Sequence, residues 1–196
     1  SGVILQFVNA VAEEIGRHYP HFLVETLAYQ HTELPPRTVR PAENVIIRLA
    51  LATAEYGHPI DSEWNAASRD KVIAWADISH QLFIWSYATN FRRTMFPHPN
   101  WEGLADDLQF FAANKVKGVF IQGDCYTGNV GDFTELRAWL MGQLLWNPFL
   151  DQRALVAEFL DGYYGPAAPY LQGYLDLVTG SFLAQNRGLN SNNLDF

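Results

Sequence analysis

Four short segments rich in β-branched and aromatic residues constrain the fold of this chain more than any other feature. Their successive positions are apolar, so we expect both faces of each segment to be buried, as in the strands of a parallel sheet covered by helices. Helical patterns alternate with these segments, which gives the strand–helix repeat of an α/β fold. The predicted strands cover residues 22–29, 44–51, 82–88 and 117–122.

Apolar residues at helical spacing predict six helices. Asp132, followed by Glu135, is expected to cap the fourth helix as a capping box, and Asp151 is expected to begin the fifth. Residues 30–43 contain two prolines and no helical period, so that crossover is expected to be irregular. The predicted helices lie at residues 4–16, 67–79, 100–113, 132–146, 151–164 and 167–183.

The loops between these elements are unequal in length. Joins from helix to strand are short and joins from strand to helix are long, so the long loops all leave the carboxyl ends of strands. In parallel α/β folds ligands bind at that end, because its loops vary while the scaffold stays rigid. Functional residues are therefore expected at the ends of the strands.

The length of 196 residues falls short of the roughly 250 of a complete eight-stranded α/β barrel. A helical pattern begins directly after Ser1, so we expect the chain to be part of a longer protein. The alternative is a self-contained, doubly wound domain of four strands, which would fold alone as a stable monomer. A half barrel would instead have two open sheet edges and would aggregate or dimerise.

The charge balance and the motifs exclude several classes of function. Thirteen basic and 21 acidic residues give a net charge of −8 without any basic run, so neither nucleic acid nor a membrane surface is an expected partner. Cys125 is the single cysteine and leaves no thiolate cluster for zinc. Phosphate-loop, dinucleotide, HExxH and EF-hand motifs are absent from the sequence, so no cofactor or metal is expected.

Arg48 lies in the middle of the otherwise apolar second strand. An unpaired buried guanidinium is strongly unfavourable, so Arg48 is expected to point into a barrel interior or a cleft and to pair with an acid there. Glu25, in the middle of the first strand, is one candidate. A structural ion pair and a substrate-facing role both remain open for Arg48.

The loop after the second strand combines carboxylates, a histidine and aromatic rings. Acids for proton transfer and rings that stack on sugar faces are typical of a cleft that processes sugars. Solvated surface is the alternative for the acids, and a hydrogen bond that pins the loop is the alternative for His58. The residues are Glu55, Tyr56, His58, Asp61, Glu63 and Trp64.

The ends of the third and fourth strands supply four further candidates. Tyr87 and Asn90 lie nearest the end of the third strand, with core packing as the alternative. Gln122 ends the fourth strand, and Asp124 in the glycine-containing loop after it could bond sugar hydroxyls.

Segments along almost the whole chain resemble one family, the bacterial domain-of-unknown-function 4838 family, which belongs with glycoside-hydrolase-like α/β barrels. The segments that carry the resemblance are FVNAVAEEI (7–15), ETLAYQHTELPP (25–36), NVIIRLA (44–50), WSYATNF (85–91), VKGVFIQG (116–123), ELRAWL (135–140) with LLWNP (144–148), and DGYYGPAAPYL (161–171).

The resemblance implies the C-terminal half of a TIM (β/α)8-type barrel, with about four parallel βα units followed by C-terminal helices. Residues 1–148 would form the half barrel, 149–185 a helical extension and 186–196 a frayed tail. By comparison with β-N-acetylhexosaminidases and α-glucuronidases, the principal acid would lie upstream of Ser1. The resemblance also implies carbohydrate as ligand, the missing N-terminal half of the same barrel as partner, and a secreted or periplasmic location in a bacterium.

The implied mechanism is hydrolysis of a glycosidic bond by two carboxyl groups. One carboxyl would come from the missing half and the other from Glu55 or Asp124, so this half alone is expected to be inactive. A non-catalytic carbohydrate-binding or structural barrel domain is the alternative. The residues implied to line the substrate subsites are Tyr29, Arg48, His58, Tyr87, Asn90 and Gln122.

Overall fold

The computed structural model describes residues 1–101, 103–123 and 131–191, and it contains a four-stranded parallel sheet. The strands follow one another in the sheet in chain order, with Val24 paired to Val45 and Ile46 paired to Gln81. Parallel neighbours require a crossover connection after each strand. The predicted α/β class is confirmed, and the arrangement is consistent with half a barrel. The strands are β1 (Val24–Ala28), β2 (Val45–Ala50), β3 (Gln81–Tyr87) and β4 (Val116–Gln122).

All six predicted helices are present, with ends that differ by a few residues. The irregular crossover predicted at residues 30–43 is also present, with one 3-10 turn at Gln30–Thr32. A second 3-10 turn, Glu63–Asn65, leads directly into α2. The helices are α1 (Gly2–His18), α2 (Ala66–Ala76), α3 (Leu104–Ala113), α4 (Thr134–Trp146), α5 (Gln152–Tyr164) and α6 (Ala168–Gln185).

The two faces of the sheet differ in burial. One face carries Ile47, Leu49 and Ile84, each no more than 1% exposed, and aliphatic residues of α1 and Trp75 of α2 lie against it near Ile47. The opposite face carries Leu27 and Phe120, which are 46% and 44% exposed. The predicted burial of both faces is therefore correct for one face and only partial for the other, within the part of the chain that the structure describes.

The chain divides into two compact units. The first comprises Ser1–Ala52, Ala66–Ser86 and Phe111–Phe120, and it holds α1, α2 and most of the sheet. The second comprises Thr53–Asn65, Tyr87–Phe110 and the described part of residues 121–196. The second unit therefore contains the loops that follow β2 and β3, together with α4, α5 and α6.

Two predicted helix starts, those of α4 and α3, are wrong. Helix α4 begins at Thr134 after Phe133, whose φ is 53°, so Asp132 lies too far upstream to cap it. The Asp132 carboxylate instead accepts a hydrogen bond from the His98 N–H at 3.0 Å. Helix α3 begins at Leu104 rather than near residue 100, because Asn100 is buried in the preceding loop at 2% exposure. The predicted cap of α5 is confirmed, since Asp151 accepts from the Ala154 N–H at 3.1 Å.

A frayed tail is predicted for residues 186–196, but the segment after α6 is packed as far as Ser191. Leu189 and Ser191 are each 2% exposed. The Leu189 carbonyl accepts a hydrogen bond from the Tyr56 N–H at 2.6 Å, and the Ser191 carbonyl accepts one from the Phe91 N–H at 2.8 Å. We call residues 187–191 the C-terminal strap; it joins the loops that follow β2 and β3.

Among the described helices, none combines the length and the apolar character needed to cross a lipid bilayer.

Candidate functional site

The loop after β2 is held in shape by one buried asparagine. Asn65, at 2% exposure, accepts from the Glu55 N–H at 2.8 Å and donates to the Glu55 carbonyl at 2.7 Å. Its amide also donates to the carbonyls of His58 at 3.1 Å and Pro59 at 3.2 Å. A single side chain thus closes the loop on itself and satisfies backbone groups that could not otherwise be buried.

The Glu55 carboxylate is surrounded by three hydrogen-bonding groups. Oε1 accepts from the backbone N–H groups of Gly57 at 2.9 Å and Leu189 at 2.5 Å, and Oε2 lies 2.7 Å from His58 Nδ1. The side chains of Glu55 and His58 are only 11% and 16% exposed. A hydrogen bond between histidine Nδ1 and a carboxylate fixes the orientation of the ring. The other ring nitrogen, Nε2, is then the one that can interact with a ligand.

Aromatic rings lie against the imidazole of His58. The indole of Trp64 stacks on it with ring centroids 4.8 Å apart and planes at 11°, and the ring of Phe182 lies 5.6 Å away. Trp64 remains 44% exposed. A Cβ at Gly57 would lie 2.3 Å from the Phe182 ring, so a larger residue here would displace this ring. The result is a stacked, partly exposed indole beside an oriented imidazole. We call Glu55, His58 and Trp64 the post-β2 cluster.

Asp107 is a carboxyl group near this loop that sequence reasoning missed. Its Oδ1 accepts from the Ile60 N–H at 2.6 Å. Burial raises the pKa of Asp107 to about 8, and the negative charges of Asp106, Asp61 and Glu55 add to the rise against the opposing hydrogen bond from Ile60. The only signal in the sequence is the pair of aspartates at positions 106 and 107, within a predicted helix.

We expect the Asp107→Asn variant to lose part of the pH dependence of stability. The pKa of about 8 in the folded protein lies above the ordinary 3.8, so between these pH values the folded protein keeps a proton that the unfolded chain has released. The resulting stabilisation is complete below about pH 4 and is lost as the pH rises through 8.

Asparagine keeps the acceptor for Ile60 and never ionises, so the stability of the variant relative to the parent should rise between pH 5 and pH 8.5. Urea unfolding at pH 5 and pH 8.5 measures this difference. The exposed Asp77→Asn variant serves as the control and should follow the parent at both pH values. An identical pH dependence in Asp107→Asn and the parent would contradict the assignment.

A second group that sequence reasoning missed is the buried guanidinium of Arg137, at 3% exposure. It donates to the Asn100 side-chain carbonyl, to the His98 carbonyl at 3.3 Å and to the Asp132 carbonyl at 3.2 Å, and it lies 3.4 Å from the Asp132 carboxylate. The ring of Trp101 lies under it, with the ring centre 4.0 Å from the guanidinium carbon. The available signal was an arginine between two leucines, Leu136 and Leu140, of the predicted fourth helix.

His98 lies within the same contacts. Neither of its ring nitrogens has a hydrogen-bond partner among the described residues. Burial, aided by the charge of Arg137, lowers the pKa of His98 to about 3, so its imidazole is neutral at physiological pH. Arg137 and its partners therefore anchor the loop between β3 and α3 to the start of α4.

The predicted pairing of Arg48 with Glu25 is confirmed. Two nitrogens of Arg48 donate to the two carboxylate oxygens of Glu25, at 2.7 and 2.5 Å. The guanidinium also lies 5.7 Å from the centre of the Phe83 ring, on the less covered face of the sheet. The substrate-facing role of Arg48 stays a prediction, because an ion pair on this face is compatible with either role.

The other predicted site residues occupy different surroundings. Glu55 and His58 are in direct contact, and Tyr87 packs edge-on against Tyr56, with ring centres 6.2 Å apart. Asn90 is buried, and its side-chain oxygen accepts from the N–H groups of residues 92 and 93, so it shapes the turn after β3. The Gln122 carbonyl accepts from the Ala88 N–H at 2.9 Å. Tyr29, 38% exposed, directly precedes the 3-10 turn after β1, and Asp124 lies outside the described residues.

The comparisons with known proteins give one match. No curated protein and no solved structure matches this chain. A family model described as "Domain of unknown function (DUF4838)" matches residues 1–176, which is most of the chain. The chain therefore belongs to the DUF4838 family.

Proposed function

We propose that this chain is part of a carbohydrate-active α/β barrel, a glycoside hydrolase, and that it contributes substrate-binding residues at the carboxyl ends of its strands. The observation that carries the proposal is the post-β2 cluster, in which the Trp64 indole stacks on His58 while His58 is oriented by Glu55. A rigid, partly exposed indole offers a sugar ring an apolar platform, and the nearby imidazole Nε2 offers its hydroxyls a polar partner.

Within this proposal the chain supplies one of two carboxyl groups. Hydrolysis breaks the bond between the anomeric carbon and the leaving oxygen, and water supplies a hydroxyl to the carbon and a proton to the oxygen. Glu55 and Asp124 are the proposed candidates, with Glu55 also orienting His58. Tyr29, Arg48, Tyr87, Asn90 and Gln122 are proposed to line neighbouring subsites.

We also propose that further βα units of the same barrel pack on the less covered face of the sheet. Leu27 and Phe120 are apolar and nearly half exposed on this face, and β1 lies at the edge of the described sheet. Exposed apolar surface next to an open strand edge favours association.

We expect residues 1–196 alone to self-associate through this face. A Leu27→Glu variant should be largely monomeric in sedimentation velocity, because a charge at this position opposes burial, while its melting temperature should change little. The exposed Leu177→Glu variant on α6 is the control. A parent chain that sediments as a monomer would contradict the proposal.

A non-catalytic carbohydrate-binding barrel is the second candidate, and one observation favours it. Both oxygens of Glu55 already have hydrogen-bonding partners, two of which are backbone N–H groups. A carboxylate held in this way shapes a binding surface without having to exchange a proton with a substrate.

A screen of glycans and aryl glycosides against the full-length natural protein tests the proposal and separates the two candidates. Hydrolysis that falls at least about 100-fold in Glu55→Gln or Asp124→Asn supports the enzyme and identifies the carboxyl. Glycan binding without turnover supports the binding module. The absence of both binding and turnover would overturn both candidates.

A further inference from the structure

The groove between α5 and α6 contains a cavity that the proposed function does not use. It has a volume of about 320 Å³ and lies entirely within the second compact unit. Its apolar lining comes from Trp101, Val156 and Leu175, each no more than 8% exposed. Small-molecule sites in proteins usually measure about 300–1,000 Å³, so this cavity suits a single ring rather than a chain of rings.

The polar lining of the cavity combines donors and acceptors. Arg153 lines it from α5, and Gln172, Asp176 and Thr179 line it from α6. Gln172 donates to the Asp176 carboxylate at 2.9 Å, which holds the two side chains beside each other on one helix. The Gln172 amide still has its second hydrogen and its oxygen for a ligand, and the Asp176 carboxylate still has its second oxygen.

This composition selects one chemical class of ligand. One guanidinium and one carboxylate give the lining no net charge, which disfavours an anion or a cation as ligand. Hydroxyl groups both donate and accept, so they match a mixture of carboxylate, amide and guanidinium groups. The apolar lining matches the C–H face of a saturated ring.

We propose that the α5–α6 cavity binds a small, neutral, polyhydroxylated ring such as a monosaccharide or a cyclitol. The site is separate from the post-β2 cluster and does not depend on the proposed function. Gln172 and Asp176 bond adjacent hydroxyls, and Val156 and Leu175 contact the ring face.

The test is titration of the chain with D-glucose and with myo-inositol, followed by ligand-observed NMR and calorimetry. We expect saturable binding of at least one of the two rings. Its affinity should fall about tenfold or more in Asp176→Ala, because a hydrogen bond to a charged group is lost. Gln172→Ala should weaken binding in the same direction.

The matched control is Gln185→Ala, which removes a comparable exposed glutamine near the end of α6 that bonds Ser181 and does not line the cavity. Its affinity should equal that of the parent. The proposal is overturned if neither ring binds, or if Asp176→Ala and Gln172→Ala bind as well as the parent.

Discussion

The Arg137→Ala variant is expected to lose about 3–5 kcal/mol of the free energy of unfolding. Truncation removes the buried guanidinium and leaves the Asp132 carboxylate, 11% exposed, without this cation. It also removes the donor for the Asn100 side chain and for two backbone carbonyls. Unpaired buried polar groups are strongly unfavourable, so the loss should be well above that of an ordinary surface change.

Urea unfolding of parent and variant measures this effect. The control is Arg17→Ala on α1, where the arginine is 70% exposed in a surface pair with Glu14 and should contribute less than about 1 kcal/mol. Amide exchange should also rise across residues 98–101, because the anchor of this loop is lost. If Arg137→Ala is destabilised no more than Arg17→Ala, the described contacts do not hold the loop.

The Glu55→Ala variant is expected to be the second most disruptive change, with a loss of about 3 kcal/mol. The Glu55 carboxylate is the acceptor for the N–H groups of Gly57 and Leu189 and the partner of His58. Without it, the strap loses one of its contacts with the post-β2 loop, and His58 loses the group that orients its ring. The same variant should therefore also lose glycan binding.

Hydrogen exchange resolves which part of the chain responds to Glu55→Ala. The amides of residues 187–191 should exchange faster, whereas those of β1 and β2 should not. Glu55→Gln retains one acceptor oxygen, so its exchange rates at residues 187–191 should lie between those of the parent and those of Glu55→Ala. The surface variant Glu14→Ala is the control. An unchanged exchange rate at residue 189 would contradict a role for Glu55 in holding the strap.

The sheet and the Arg48–Glu25 pair could be predicted because both follow from strand periodicity. Side chains alternate across a strand, so a charged residue in an apolar strand needs a partner on the same face of a neighbouring strand. The register pairs Glu25 with Ile46 and Leu27 with Arg48, which places Glu25 and Arg48 on one face. Local sequence therefore contained enough information for this contact.

The contacts of Arg137, Glu55 and Asp107 could not be predicted in the same way. Leu189 lies 134 residues from Glu55 in the chain, and Asn100 lies 37 residues from Arg137. No periodic pattern connects residues so far apart. The raised pKa of Asp107 depends on burial by neighbouring segments, which is a property of the packed loop rather than of α3. Asp132 resembled a helix cap because its spacing to Glu135 fits, but its carboxylate bonds His98 instead.

Titration of the protein with the glycan that binds most tightly in the screen tests whether the post-β2 cluster binds carbohydrate. The Trp64→Ala variant should bind about tenfold more weakly than the parent, because the apolar platform is lost. The matched control is Trp146→Ala, whose indole is 90% exposed at the end of α4 and should leave the affinity unchanged. Equal affinities of the parent and Trp64→Ala would contradict carbohydrate binding by the post-β2 cluster.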